Sequence, residues 1–464
     1  KTGKLSFFKA VAPAPDEDKP DEDKPDEDKP DEDKPDGSNP GNSSGGGGSS
    51  SGDSSDESFT AKLKSGNIMD GPVIAVVNAE ANVKGSHAVV VITDAMVKSA
   101  IEKAQYEAEL QKKTANGIGA EVHVNAPGAK SITVITEREA LNRLVSNYLK
   151  LFNITGLPVH FSFDQDSLKQ QQNKGTGDIK LVIEPYNDKN FSSAYEISLS
   201  TLKKGKLVSI NSVDKGTVTV SIPYTPAQNE SAGGLYGAYV DENGNINRIQ
   251  GSAYDKASGC VIFATAHFSK YGVGYSAPSE RFTDISSHWA KESIEYVADR
   301  GLVSGSSETT FSPGSAATRG TLVMALGRLA QVDTSSYTGN QFTDVSSEKE
   351  YCPYIEWAYN KGLIKGIGNG RFAPEKAITR EEIAVIFANY ANVIGDTLPD
   401  GSKFETYLDD SLIGNNYRYA IKSMQQAGIM TGSENRFNPK GNTTQAELSS
   451  IIHRYIKFVT KGEI

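Results

Sequence analysis

The sequence predicts a multidomain chain with a disordered linker, a β-rich middle module and a helical bundle made of three repeats. Three observations support this organisation. A motif with a period of roughly 60 residues occurs three times near the end, apolar residues alternate through the middle, and the beginning is too polar to form a core. With 464 residues, the chain has room for two or three domains that each bury a core.

The repeat is marked by a phenylalanine that stands seven residues before a threonine. The pair occurs as Phe311 and Thr318, Phe372 and Thr379, and Phe437 and Thr444. A Gly-x-x-x-Gly pair precedes each phenylalanine, and each phenylalanine begins a Phe-x-Pro sequence. Self-similar units of this length bury their faces against one another, so the three copies predict one domain with three similar parts.

A capped helix is predicted to begin after each threonine. Apolar residues recur four, seven, eight and eleven positions later, which is the pattern of a one-faced helix. The threonine hydroxyl can cap the first turn, and Glu382 and Glu447 stand where a capping box requires a glutamate. The first copy has Thr321 there. A second helix precedes each glycine pair, whose first glycine ends it.

The residue after the threonine is Arg319 in the first copy, Arg380 in the second and Gln445 in the third. A cation at the first helical position opposes the helix dipole, at a cost of roughly 0.3–1 kcal/mol where it is exposed. Helix N-termini present free N–H groups to anions, and arginine binds a carboxylate or phosphate through two hydrogen bonds. The pattern therefore predicts an acidic ligand at these helix starts.

Simpler interpretations of the same residues remain open. Glu382 and Glu447 can be capping groups and nothing more. Arg319 and Arg380 can be paired with acids of a neighbouring repeat, as buried arginines usually are. A tryptophan such as Trp289 is more often a core residue than a platform for a sugar.

The three units resemble three tandem S-layer homology domains. They begin at Phe282-Thr283-Asp284, at Phe342-Thr343-Asp344 and near Tyr407-Leu408-Asp409. The resemblance implies an all-α, pseudo-threefold bundle within a monomeric chain. It also implies binding of an anionic, pyruvylated secondary cell-wall polymer in grooves between repeats, and an extracellular location in the cell wall or S-layer of a Gram-positive bacterium.

The Thr-Arg-Ala-Glu motif of the family falls on residues 318–321, 379–382 and 444–447. The first copy lacks the glutamate and the third lacks the arginine, so we expect weak or absent binding in the third groove. Residues 379–382 carry both groups and are expected to form the best clamp for the ligand. The polymer-binding residues that the resemblance implies are Thr318, Arg319, Thr379, Arg380, Glu382, Thr444, Gln445, Glu447, Trp289, Asp284 and Asp344.

Composition sets the predicted boundaries. Four Asp-Glu-Asp-Lys-Pro copies from Asp16 to Pro35 carry twelve acids and four lysines, which accounts for −8 of the net charge of −10. These copies and the Gly/Ser stretch after them cannot form a core, and we expect them to tether an upstream module. The predicted segments are the end of an upstream part at 1–15, a disordered linker at 16–57, a β-rich module at 58–279, and repeats at 281–334, 340–393 and 404–459.

The middle module is predicted to be α+β and sandwich-like. Apolar runs such as Val73 to Val77 and Val218 to Ile222 predict strands, whereas Asp94 to Lys113 and Glu137 to Leu151 predict helices. Asn243-Gly244 between two apolar runs predicts a hairpin, and an antiparallel meander or sandwich follows from this pattern. The end of the module also resembles a β-rich module that often precedes S-layer homology domains in clostridial surface proteins.

Sites of chemistry are sparse in the sequence. The six histidines show no zinc-binding spacing, and nothing brings two carboxylates together as a hydrolase requires. We therefore predict no metal, no cofactor and no enzyme activity. The acidic balance argues against nucleic acid, and the absence of an apolar run of membrane length argues against insertion into a bilayer. The predicted function is a non-catalytic anchor to the cell wall. The alternatives are the anchoring end of a surface polysaccharide-degrading enzyme or a self-assembling S-layer subunit.

Overall fold

The computed structural model describes residues 59–64, 71–339, 341–399 and 405–461. The predicted upstream segment at 1–15 and the predicted linker at 16–57 lie outside the described residues. All described residues, from the middle module and the repeats alike, belong to one compact unit.

The middle module contains two β-sheets, whose strands are numbered here in chain order. The first sheet has the order β1 (Lys62–Leu63), β2 (Val73–Glu80), β5 (Ile118–Asn125), β7 (Leu151–Thr155), β8 (His160–Asp164), β12 (Val218–Pro223), β16 (Cys260–Thr265), β15 (Ala253–Asp255). The second has the order β14 (Ile246–Arg248), β13 (Leu235–Val240), β17 (Lys270–Tyr275), β10 (Ser193–Lys203), β9 (Ile179–Pro185), β6 (Ser131–Thr136), β4 (His87–Ile92), β3 (Asn82–Lys84), with β11 (Lys206–Ser209) paired to β10.

One apolar core joins the two sheets. Val122 and Phe161 from the first sheet lie in the same buried cluster as Leu181 and Ile197 from the second. Each side chain faces the core because alternate residues of a strand point to the same side. Three helices complete the module: α1 (Asp94–Leu110), which packs on β2 and β5, α2 (Arg138–Ser146) and α3 (Gln165–Lys174).

The structure confirms a β-rich middle module and corrects its details. The helix predicted from Glu137 to Leu151 ends at Ser146, because Tyr148 adopts a left-handed φ of 52°, and Leu151 begins β7. The expected antiparallel pairing holds among the strands from β12 to β17 but not in the first part of the module, where β2–β5, β5–β7 and β4–β6 are parallel. The connection from β2 to β5 contains α1, and a helical connection lets a strand return in the same direction.

Helix α3 was missed because its start looks like a pair of acids in a loop. Asp164 is in fact its N-cap, and its carboxylate accepts hydrogen bonds from Ser167 N at 2.7 Å and Thr217 N at 2.8 Å. Burial nevertheless raises the pKa of Asp164 above its ordinary value. The carboxylate joins a helix start to a neighbouring loop.

Each repeat supplies two helices. They are α4 (Lys291–Asp299) and α5 (Arg319–Leu329), α6 (Cys352–Asn360) and α7 (Arg380–Ile394), and α8 (Arg418–Gln426) and α9 (Gln445–Val459). The second helix of one repeat packs on the first helix of the next: α5 on α6, α7 on α8, and α9 back on α4. Short 3-10 turns and isolated β-bridges occur between the helices, so the described part of this region is not purely helical.

A closed ring of backbone hydrogen bonds joins the three repeats. Ala317 N donates to Thr443 O at 2.8 Å, Thr443 N to Ile378 O at 2.9 Å, and Ile378 N to Ala317 O at 3.0 Å. All three residues are fully buried, and each stands directly before a capping threonine. A buried backbone N–H group needs a hydrogen-bond acceptor, and in this ring each repeat provides the acceptor for another repeat. The ring therefore fixes the three helix starts relative to one another.

The middle module contacts the first repeat through the end of α4. The hydroxyl of Tyr296 donates to Ser252 O at 3.1 Å. The guanidinium of Arg300 donates to Gly233 O and to Leu235 O, both at 3.3 Å. Tyr296 and Arg300 are 5% and 4% exposed, so the module and the bundle share a buried polar interface.

Ending the chain after residue 399 should unfold the first two repeats as well as remove the third. The ring would lose two of its three bonds, and α4 would lose the surface of α9 on which it packs. We expect the urea transition of the repeats to disappear from the circular-dichroism curve while that of the middle module remains. A chain that ends after residue 461 is the control. A preserved two-repeat transition would contradict the closed ring.

Candidate functional site

The helix starts have the caps that the sequence predicted. Thr318 Oγ1 accepts a hydrogen bond from Thr321 N at 3.1 Å. Thr379 and Thr444 form complete capping boxes, because Glu382 and Glu447 return a carboxylate to the backbone N–H of the threonine at 2.9 and 2.8 Å. These caps place the next residue, the arginine or glutamine, at the boundary between two repeats.

The expectation that these helix starts present free N–H groups is wrong. The first two N–H groups of each helix donate to carbonyl oxygens in the Phe-x-Pro loop of the next repeat. The pairs are Arg319 to Lys376 and Gly320 to Pro374, Arg380 to Gly441 and Glu381 to Pro439, and Gln445 to Ser315 and Ala446 to Pro313, at 2.8–3.1 Å. With these donors engaged, the helix ends hold repeats together, and any ligand must bind through side chains.

Arg319 extends from the first repeat into the second. Its Nε donates to Phe372 O at 3.0 Å, its Nη2 donates to Lys365 O at 3.1 Å, and its guanidinium lies 4.5 Å from the ring centroid of Phe372. Nη1 faces Glu382 Oε1 at 3.9 Å, at the limit of an ion pair. Burial lowers the pKa of Arg319, and Glu382 opposes that shift. The arginine is thus paired, loosely, with an acid of the neighbouring repeat.

Arg380 makes the same kind of contact between the second and third repeats. Its Nε donates to Phe437 O at 2.7 Å, and its Nη1 lies 3.5 Å from Glu447 Oε1. Burial lowers its pKa as well, and Glu447 opposes the shift. Arg380 therefore lies at the boundary between the second and third repeats, and Glu382 lies at the boundary between the first and second. Residues 379–382 do not form a single clamp. The glutamates do more than cap, since each also pairs with the arginine of the preceding repeat.

The third boundary differs from the other two. Gln445 occupies the arginine position, and its buried Oε1 has no hydrogen-bond partner among the described residues. Thr321 replaces the glutamate on the facing repeat. Trp289 stands two residues before α4, the helix on which α9 packs. It is 65% exposed and lies against His288, whereas Trp357 is fully buried in the core. The third groove therefore offers no arginine–glutamate pair but has an exposed tryptophan beside its first helix.

Groove one, between the first and second repeats, has an exposed cation at its mouth. Lys376 Nζ lies 3.4 Å from Glu382 Oε1, and the side chain of Lys376 is 52% exposed. Tyr351 lines the same groove and donates to Glu375 Oε1 at 2.8 Å. A β-carbon at Gly320 would lie 3.0 Å from the Tyr351 ring, so glycine allows this close contact.

In groove two, between the second and third repeats, a different lysine–glutamate ion pair lies at the mouth. Lys440 Nζ lies 2.6 Å from Glu381 Oε1, and the Lys440 side chain is 60% exposed while Glu381 is buried. Tyr417 faces Lys440 with 5.8 Å between the ammonium and the ring centroid. Each of these two grooves therefore combines a largely buried arginine, an exposed lysine and a tyrosine.

Asp284 and Asp344 have an internal structural role. Asp284 accepts from Phe311 N and Ser312 N at 2.9 and 2.7 Å, and Asp344 does the same at the loop of the second repeat. Burial alone would raise their pKa values, but the backbone N–H groups outweigh it and leave both pKa values below the ordinary range. These carboxylates hold the loops in which Ser312 and Ala373 adopt left-handed φ values of 63° and 57°.

Sequence reasoning missed several residues of the grooves. Lys376, Lys440, Tyr351 and Tyr417 lie outside the four-residue motif, so the motif could not indicate them. Asp409 was also missed as a site residue, although it clamps Phe437 N and Asn438 N as its two counterparts do. Its position at the start of the third unit, matching Asp284 and Asp344, was the available signal.

The three helix pairs, joined by contacts between successive repeats, define a tandem-repeat module. Residues 281–322, 341–384 and 407–449 match the model of the S-layer homology domain. The chain contains three S-layer homology domains, which are cell-wall anchoring modules and generally bind secondary cell-wall polymers.

Relatives of the chain include surface enzymes and S-layer proteins. It is 33% identical over 217 residues to an amylopullulanase of Thermoanaerobacterium thermosulfurigenes, covering 46% of this chain and 11% of the relative. It is 30% identical over 221 residues to the exoglucanase XynX of Acetivibrio thermocellus, covering 46% and 20%. It is 27% identical over 178 residues to the S-layer protein sap of Bacillus anthracis, covering 38% and 21%. The chain thus spans about a tenth to a fifth of these relatives.

The domains and the relatives together indicate an extracellular, cell-wall-associated protein of a Gram-positive bacterium. Among the described residues, none of the helices has the length and apolar character needed to span a bilayer. Those residues also contain no group of three side chains suited to hold a metal ion, and both cysteines, Cys260 and Cys352, are free and buried.

Replacing Asp344 with asparagine should destabilise the repeats by about 1–3 kcal/mol at neutral pH, because an N–H of the amide would then face a backbone N–H. The folded state lowers the pKa of Asp344, so its contribution is complete above the ordinary aspartate pKa of about 4 and is lost as pH falls through the folded value. Urea unfolding at several pH values should show the difference from wild type shrinking in acid.

The control for this variant is Glu348→Gln, which removes an exposed charge from the same repeat. It should leave stability nearly unchanged at every pH. A constant difference between Asp344→Asn and wild type down to strongly acidic pH would show that the carboxylate is not held as its contacts indicate.

Proposed function

We propose that the three S-layer homology domains anchor this chain to the cell wall by binding a pyruvylated secondary polymer. The observation that carries the proposal is that a largely buried arginine and an exposed lysine lie in the same groove, in two of the three grooves. A pyruvyl group adds a carboxylate to a sugar, and a carboxylate gains most from charged donors that are partly shielded from water. Grooves one and two offer such donors.

The contacts suggest how the carboxylate would enter groove one. Arg319 Nη1 has only the glutamate at 3.9 Å as a partner among the described residues, and Lys376 also shares that glutamate. Both cations therefore retain donor capacity. A ligand carboxylate at the mouth would bind Lys376 and lie near Arg319, while Tyr351 would face the sugar ring.

In groove two a ligand must compete with a closer ion pair than the one between Lys376 and Glu382 in groove one. Lys440 is held by Glu381 at 2.6 Å, so a ligand must share or displace a close ion pair. We therefore expect groove one to bind more tightly than groove two. Groove three, with Gln445 in place of an arginine, is expected to bind weakly, and Trp289 would offer stacking to a sugar there. The capping residues would support the grooves by fixing the helix starts; they are Thr318, Thr379, Thr444, Glu382 and Glu447. Asp284 and Asp344 would support the grooves by holding the loops.

Replacing Arg319 and Arg380 together with alanine should abolish sedimentation of the chain with purified cell walls. Because both arginines also hold repeats together, the variant needs a test of folding by circular dichroism. Lys376→Gln with Lys440→Gln leaves those contacts intact, and loss of two charge-assisted hydrogen bonds should weaken wall binding by roughly ten- to a hundredfold.

The matched control for the lysine variant removes two exposed charges of the middle module, by Lys215→Gln and Lys256→Gln. It should sediment like wild type. Walls stripped of pyruvyl groups should lose binding of the wild-type chain. Undiminished binding of the wild-type chain to stripped walls would contradict the proposed ligand. An equal loss of binding in the control variant would contradict the proposed grooves.

The second candidate is that this chain is the anchoring end of a larger surface enzyme. The amylopullulanase and the exoglucanase extend far beyond the aligned region, and the match of 217 residues is longer than the stretch from residue 281 to the end of this chain. The alternative of a self-assembling S-layer subunit is supported by the relationship to S-layer proteins of Bacillus.

Electron microscopy of the purified chain distinguishes a monomeric anchor from a self-assembling S-layer subunit. A monomeric anchor gives discrete particles of one chain each, which is the result we expect. Ordered sheets would favour an S-layer subunit and contradict the monomeric anchor.

A further inference from the structure

A cavity of about 400 Å³ lies where the middle module meets the first two repeats. Its lining includes Gln250 from the module, Arg300 and Arg328 from the first repeat, and Tyr354 from the second. Arg328 stands near the end of α5, whereas Arg319 of groove one stands at its start. A helix of this length separates its ends by roughly 14 Å, so the cavity is distinct from the groove.

Arg300 is a buried cation without an acidic partner. It is 4% exposed, and within the described part of the chain no carboxylate lies within ion-pair distance of it. Its Nη atoms donate to the carbonyl oxygens of Gly233, Tyr296, Leu235 and Ser252, and its Nε has no hydrogen-bond partner among the described residues. The guanidinium lies 3.5 Å from the ring centroid of Tyr296. Carbonyls and an aromatic ring thus stabilise the charge only in part.

Arg248 adds a second, partly buried charge on the side of the module. Its guanidinium lies 4.2 Å from the Tyr236 ring centroid and donates to Asp299 O at 3.4 Å, and within the described part of the chain its Nε has no partner. Burial, followed by the charge of Arg300, lowers the pKa of Arg248 to about 10. The charge of Asp299, whose carboxylate accepts hydrogen bonds from Ser279, opposes these shifts, but burial outweighs it and leaves the pKa of both arginines below the ordinary value.

The cavity wall offers further polar groups for a ligand. Arg328 lines the cavity, and the acid that it pairs with among the described residues is Glu350, whose side chain is 71% exposed and which contacts Nη2. Gln331 Nε2 donates to Arg248 O at 3.1 Å, which ties the rim to the module. The Oε1 atom of Gln250 is buried and has no partner in the part of the chain that the structure describes. The lining thus contains two arginines and two amides and no acidic side chain.

A buried guanidinium group without an ion-pair partner among the described residues, beside an open polar cavity that a second arginine lines and no acid does, is favourably completed by an anion. We infer that this cavity binds a single oxyanion group, a carboxylate or a phosphate, at the junction of the middle module and the repeats. The bound anion contacts Arg300 and Arg328 from the repeats and Gln250 from the module. It therefore strengthens the junction that holds the module against the bundle.

The test uses the full chain with inorganic phosphate and with acetate, each compared with chloride at matched ionic strength. A ligand that binds only the folded state raises the midpoint of thermal unfolding with its concentration. We expect phosphate or acetate to raise the midpoint beyond chloride, and calorimetric titration to give a matching binding isotherm. The more effective anion identifies the source as a phosphate or a carboxylate group.

Arg328→Gln tests the site without removing the buried Arg300 from the interface. Loss of a charge-assisted contact should weaken anion binding by roughly tenfold or more. Lys215→Gln, an exposed position outside the cavity lining and the grooves, should bind the anion like wild type. Equal midpoints in all three salts, an anion effect that Arg328→Gln leaves unchanged, or loss of the effect in Lys215→Gln would each overturn the junction site.

Discussion

The closed ring of backbone hydrogen bonds among Ala317, Ile378 and Thr443 is the constraint on which the bundle depends. Each of these residues is fully buried and precedes a capping threonine, so the ring fixes where three helices begin. Backbone amides in such a position must be paired, and only the neighbouring repeat provides the partner. A single repeat cannot satisfy its own helix start, which explains why the units occur together.

The ring also explains the chemistry of the grooves. Because the first N–H groups of each helix are engaged by the next repeat, the backbone does not provide an anion site. The arginine side chains instead cross to the next Phe-x-Pro loop and meet its capping glutamate. Arg319 pairs with Glu382 at 3.9 Å and Arg380 with Glu447 at 3.5 Å, so every complete groove takes residues from two repeats. The exposed lysines then decide how much positive charge faces the solvent.

Local patterns in the sequence were sufficient to predict the repeats, the caps and most strands. The spacing after Thr379 specifies a helix and its cap, since both depend on residues a few positions apart. The partner of Arg319 could not be predicted, because the cyclic order of repeats decides which glutamate it meets. For the same reason the motif at 379–382 seemed to form one clamp, whereas its arginine and glutamate serve different grooves. The parallel strands and α3 were missed because alternation does not encode strand direction, and Asp164 resembled a loop acid.

The most direct test is a crystal structure of the chain with a pyruvylated disaccharide fragment of the wall polymer. The predicted result is a ligand carboxylate within hydrogen-bond distance of Lys376 or Lys440, with contacts from two consecutive repeats and with the ring of Ala317, Ile378 and Thr443 intact. A fragment bound on the face of a single repeat, with no contact to either lysine or its neighbouring arginine, would contradict binding in the grooves between repeats.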